Sequence, residues 1–195
     1  MLFYSASFIV SALALVGTTM AAPTLKRRQA QACFLPGRVA LPAEVERGIP
    51  ALAQVVTCGN GNVLSSVPDV SSGSATFSAL NFQDSNKSLL GFALETFPLP
   101  ANPSEVDVTR IQDALNVYIA TEAGLRSLSS TRSLLDQVKV PKFFLQFQMA
   151  RALASQGVAL GGLTSVEHQL GKVVKNQRGS SAAELAQLNA LATQI

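Results

Sequence analysis

His168 is the one histidine among 195 residues, so any imidazole-based proton transfer falls on a single side chain. It follows Glu167 but has no second histidine four residues away, which removes the helical zinc-protease motif. On a helix that turns Val166, Leu170 and Val173 inward, His168 points to a flank or to the surface. A satisfied or solvated imidazole therefore outweighs a catalytic one. No serine stands in Gly-x-Ser-x-Gly, and neither order nor spacing suggests a triad. Gly59-Asn60-Gly61 lacks the third glycine and the strand-to-helix setting of a dinucleotide loop, and Gly171-Lys172 lacks the rest of a phosphate loop, so both read as turns. Two carboxylates for glycoside hydrolysis can be found among twelve acids, but that reaction also needs a sugar cleft. Residues 29–195 contain no Trp and only Tyr118 to stack on a sugar ring. The expectation is a protein that is not an enzyme, with no catalytic residue, no cofactor and no metal. The alternative is a hydrolase without a recognisable motif, assembled from scattered residues that include His168.

Cys33 and Cys58 are the only cysteines, and an even count in an oxidising route predicts one disulfide between them. A metal site would need two more ligands nearby, and His168 is remote in sequence. Asn86-Lys87-Ser88 is a valid glycosylation sequon, whereas Asn102-Pro103-Ser104 is blocked by its proline. Phe143, Phe144 and Phe147 form the most concentrated apolar feature. On adjoining faces of one helix they are expected in a core, and the competing reading is an apolar ligand seated between helices beside Phe144 and Phe147. Lys139, Lys142 and Arg151 would flank such a mouth.

The elements that hold these residues fall into two parts. Residues 29–102 are rich in Pro, Gly, Ser and Asn: Pro42 to Val45 predicts a helical turn, Pro50 opens a second helix towards Cys58, and Gly59-Asn60-Gly61-Asn62 breaks the chain. Alternation over residues 75–82 suggests a strand, and Leu89 to Phe97 suits either a helix or a second strand. Residues 103–195 read as helices. Ser104 with Asp107 caps a stripe of Val108, Ile111, Leu115 and Tyr118. A further helix covers Thr131 to Val138, and Pro141 opens the Phe-rich one, which Gly157 ends. Thr164 with Glu167, and Ser181 with Glu184, resemble capping boxes for the last two. The predicted fold is mainly α: a bundle of four to five helices, each apolar on one side, with an N-terminal disulfide-tied segment and a small β-hairpin.

Phe8 to Val16 is too short to span a bilayer but suits a signal peptide, residues 1–21, cut after Ala21. Residues 22–28 form a short pro-segment ending at Lys26-Arg27-Arg28, a kexin-type processing site, and a single mature domain is expected from Gln29 to Ile195. Fifteen Lys and Arg less those three leave twelve against twelve Asp and Glu, a net charge of zero. The basic character of the whole chain is then no argument for nucleic acid or an anionic membrane. No second apolar run approaches 18 residues, so no membrane span is expected, and the product is expected outside the cell.

Four strings carry a resemblance: Lys26-Arg27-Arg28-Gln29, Ala32-Cys33-Phe34-Leu35-Pro36-Gly37, Val140-Pro141-Lys142-Phe143-Phe144-Leu145 and Val166-Glu167-His168-Gln169-Leu170-Gly171-Lys172. Residues 29–195 resemble uncharacterised fungal small secreted proteins, some of them treated as candidate effectors. The resemblance implies lineage and location; it brings no activity or catalytic residue. The low cysteine count departs from a disulfide-armoured toxin. The functional expectation is a secreted, non-enzymatic protein that binds a partner at a host or environmental surface, as a virulence effector would. A carrier for a lipid or small apolar ligand is the second expectation.

Overall fold

Proline places the first two helices. Pro42 precedes α1 (Ala43–Glu46), and Pro50 sits in the first turn of α2 (Ile49–Val55), where a missing N–H breaks no helical hydrogen bond. The computed structural model describes residues 31–100 and 102–194. The signal peptide, the cut after Ala21 and the Lys26-Arg27-Arg28 junction lie outside the described residues.

After α2 the chain forms an antiparallel sheet of β1 (Thr57–Leu64), β2 (Val67–Ser72) and β3 (Ala75–Thr76), in the order β1-β2-β3. Gly59-Asn60-Gly61-Asn62 does not break the chain, as the sequence suggested, but lies inside β1. The register slips on either side of Asn62, so this polar run bulges on an exposed edge while Val67 and Val70 of β2 are fully buried. Ser65, with φ 57°, makes the turn. The strand expected over residues 75–82 shrinks to β3. Two 3-10 turns follow, Ser78–Leu80 and Phe82–Asp84, and they bring both Phe77 and Phe82 into the core, which alternation would have parted.

Four further helices follow: α3 (Leu89–Thr96), α4 (Val108–Ser127), α5 (Arg132–Ser155) and α6 (Val166–Asn176), and α7 (Ala182–Ala192) closes the chain. That makes seven α-helices among the described residues rather than four to five, because residues 29–102 supply three short ones. Caps fix the starts. Asp107, not the Ser104 pair, caps α4 by accepting the Thr109 N–H at 2.9 Å. Ser165, not Thr164, caps α6, because Thr164 is already turned back on Gly161. Ser181 and Glu184 form the expected capping box of α7. The two helices expected around Pro141 are one. Proline costs α5 a single hydrogen bond, and the helix runs on because Val138 and Val140 before it and Phe144 and Leu145 after it are all buried.

Helix α5 is apolar on two sides, not one. Val138, Leu145 and Ala152, seven residues apart, join the core shared by the sheet, α2 and α4. Val140, Phe144, Phe147 and Ala150 join a second core with α3, α6 and α7. Each fully buried Phe contributes about 2–3 kcal/mol through lost aqueous surface. Helix α4 is also enclosed on most sides, which is why Asn116, Thr121, Glu122 and Ser127 are buried with it. The Cys33–Cys58 disulfide is formed. Phe34 beside it is fully buried, and the Gly37 and Val39 N–H groups donate to the Ser127 Oγ and carbonyl at 3.0 and 2.9 Å. A Cβ on Gly37 would stand 1.8 Å from that carbonyl oxygen, so only glycine permits this approach. No described helix is long and apolar enough to cross a membrane.

Candidate functional site

The segment between α3 and α4 carries Phe97, Pro98, Leu99 and Pro100, and its prolines keep it out of either helix. Between this segment, α4 and α5 lies a groove of about 550 Å3. Leu80 and Ala75 from the sheet side, Ile111 and Ala114 of α4, and Leu145 of α5 supply apolar walls. This size and lining fit a small-molecule site, where apolar walls bind and a few polar groups orient.

Gln148 forms the polar floor. Its Nε2 donates to the Phe97 carbonyl at 2.8 Å, and its Oε1 accepts from Arg151 Nη1 at 2.7 Å. Gln148 thus pins the α3–α4 segment to α5. Arg151 does not flank a mouth, as its charge suggested, but is fully buried. Its Nη2 donates to the Gln194 carbonyl at 2.9 Å, and its guanidinium rests 5.8 Å from the Phe147 ring centroid. Burial pulls its pKa below the ordinary arginine value. At the rim stand Glu105, Asp107 and Arg110. Hydrogen bonding from Thr109 holds Asp107 below the usual carboxylate range, with the Arg110 charge adding to it. Glu105 accepts from Asn102 Nδ2 at 2.8 Å. Each rim carboxylate thus accepts a hydrogen bond through one oxygen just before or at the start of α4.

The Phe cluster lies elsewhere. Phe144 and Phe147 are wholly enclosed in the second core, and the groove does not include them. Phe143 is half-buried, with the ammonium groups of Lys142 and Lys172 at 4.5 and 5.4 Å from its ring centroid. Lys142 Nζ also donates to Glu122 Oε2, and Arg126 Nη2 donates to Glu122 Oε1 at 2.7 Å. The side chains of Lys142 and Glu122 are only 12 % and 8 % exposed, so this is a buried pair. Burial alone would raise the Glu122 carboxyl, but Lys142 and Arg126 outweigh it and hold the acid below its ordinary range. Burial pulls Lys142 below the ordinary lysine range, offset only in part by Glu122. Neither group borders the groove, and the carboxylate has both oxygens engaged.

His168 is half-buried on α6, its Nε2 enclosed without a hydrogen-bond partner among the described residues. Gly171 and Lys172 lie within α6 and form no turn. Among the described residues no three His, Cys, Asp or Glu side chains converge as metal ligands would. Asn86 is exposed, in the wall of a second, more polar hollow with Asn81, Asp84 and Glu95.

Residues 35–195 match the model of a protein family described as a domain of unknown function, DUF7143. The chain belongs to that family. The DUF7143 region takes in the groove, the second core, the first core apart from Phe34, and Cys58, and it begins two residues after Cys33. The disulfide therefore ties the residues just before the DUF7143 region to its first strand. No curated protein and no solved structure matches the chain.

Sequence reasoning missed the groove because its walls come from four separate stretches, around residues 75–80, 97–100, 105–114 and 145–148. The one local signal was Pro98-Leu99-Pro100, a short stretch that cannot continue a helix yet is too apolar for an ordinary loop.

Proposed function

We propose that this is a secreted, non-enzymatic binding protein whose ligand is a small, largely apolar molecule seated in the groove between the α3–α4 segment, α4 and α5. The groove carries the proposal: about 550 Å3 of space lined by Leu80, Phe97 and Ile111, with Glu105, Asp107 and Arg110 at its rim. In this proposal the protein acts at a host or environmental surface by sequestering or delivering its ligand.

The test is a thermal-shift screen of the mature protein against fatty acids and sterols, beside native mass spectrometry of protein taken from the producing culture. A ligand at a hundred times its dissociation constant should raise Tm by about 5–10 °C. Ala75→Phe, which fills the groove from the half-buried edge of β3, should abolish the shift and leave the unliganded Tm nearly unchanged. No bound mass and no shift with either class would reject the reading.

Secretion is part of the same proposal, with removal of residues 1–21, trimming to Gln29 and a glycan on Asn86. A formed disulfide supports an oxidising route, and Asn86 is exposed enough to be modified. Protein recovered from culture medium should begin at Gln29, contain no free thiol, and lose mass on glycosidase treatment unless Asn86→Gln is present. Recovery of the full-length chain from cell extract with both thiols reduced would refute this part.

A further inference from the structure

Residues 29–195 balance twelve cations against twelve carboxylates, but the fold does not spread them evenly. Lys142 of α5 and Lys172 of α6 both lie against the Phe143 ring, at 4.5 and 5.4 Å from its centroid. Lys139 stands three residues before Lys142 and Lys175 three residues after Lys172, about 4.5 Å along each helix axis. The cations therefore form a short ladder, Lys139 and Lys142 on α5 and Lys172 and Lys175 on α6. Arg132 and, just past the end of α6, Arg178 add their charge around Asp136.

The ladder has one carboxylate of its own, Asp136, which Lys139 Nζ already holds at 2.9 Å. At its upper end Glu122 is shared between Lys142 and Arg126. Seven cations, Arg126, Arg132, Lys139, Lys142, Lys172, Lys175 and Arg178, thus stand around two acids, with Lys142 buried against Glu122, and the rest of residues 29–195 carries five cations against ten acids. Arg132, Lys175 and Arg178 are exposed. A surface with this repeat meets its match in a polymer whose charges also repeat, since each neutralised charge releases a counterion.

We propose that the α5–α6 face binds an acidic polysaccharide, a chain bearing one carboxylate or sulfate on each sugar or disaccharide unit. Single-stranded nucleic acid fits less well, because it gains much of its affinity from bases stacking on aromatic rings, and the one ring here, Phe143, is taken up by two ammonium groups. A bilayer fits less well, because lying in the interface needs a broad apolar face, and this surface exposes only Val174 among its large apolar side chains. The inference is independent of the groove.

The test is retention of the mature protein on immobilised heparin and immobilised polygalacturonate, with anionic vesicles and single-stranded DNA as competitors. Wild type should elute from at least one polysaccharide only above physiological salt. Lys175→Glu with Arg178→Glu should weaken binding at least tenfold and lower the slope of log K against log salt by about two, as loss of two contacts predicts. Lys175→Arg with Arg178→Lys should restore both, and circular dichroism should show the same fold in every variant. Elution below physiological salt from both resins, or equal retention of the charge-reversed variant, would overturn the proposal. Tighter binding to vesicles or DNA than to either polysaccharide would overturn the choice of partner.

Discussion

Glu122→Ala is expected to destabilise the protein by about 3–5 kcal/mol, the usual consequence of leaving a buried charge without its partner. Lys142 is the charge left behind; at 12 % exposure it cannot reach full hydration, whereas Arg126, at 26 %, can turn outward. Glu122→Leu with Lys142→Met should recover most of the loss, because removing both charges removes both desolvation costs. Urea denaturation of the two variants and wild type decides the matter. A Glu122→Ala loss below about 1 kcal/mol would place the pair among solvated surface bridges. The acid limb of the stability curve gives a second check. The folded state holds the Glu122 carboxyl below its ordinary 4.5, so the pair's contribution is complete above that value and disappears as pH falls through the lower folded one. Wild type should lose stability on that limb, and Glu122→Ala should lose less of it.

Cys33→Ser with Cys58→Ser is expected to cost about 3 kcal/mol, from the freedom restored to an unfolded loop of this length. For a chain of this size that lowers Tm by about 6–12 °C. The residues nearest the bridge should loosen first. Hydrogen exchange of the Val39 N–H, bonded to the Ser127 carbonyl at 2.9 Å, should accelerate more than that of residues within α5. Equal acceleration in both places would mean that the bridge supports the whole fold rather than its N-terminal strap.

The parts of this molecule that were legible in advance rest on local chemistry. Two cysteines leave only one pairing, and Ser181 three residues before Glu184 names the start of α7. Pro42 and Pro50 place the first short helices for the same reason. The parts that were not legible depend on distant partners. Nothing in Gly59-Asn60-Gly61-Asn62 announces a strand, because β1 is held by β2 and not by its own side chains. Pro141 ordinarily ends a helix, and here burial on both sides of it overrides that local cost. The Phe cluster was legible as core, yet a helical pattern could not show that the open space lay around Leu145 and Gln148, on another side of α5. The even balance of charge over residues 29–195 likewise concealed the cations gathered on α5 and α6, since a sum contains no positions.

Because α5 serves both hydrophobic cores, its length is not free to drift. Removing one residue near Pro141 would turn everything beyond it by about 100° relative to what precedes it. Val138 could then keep its place only if Leu145 and Ala152 gave up theirs. Substitution is thus the tolerated kind of change along this helix, and insertions or deletions among relatives should gather in the exposed stretch from Gln156 to Thr164.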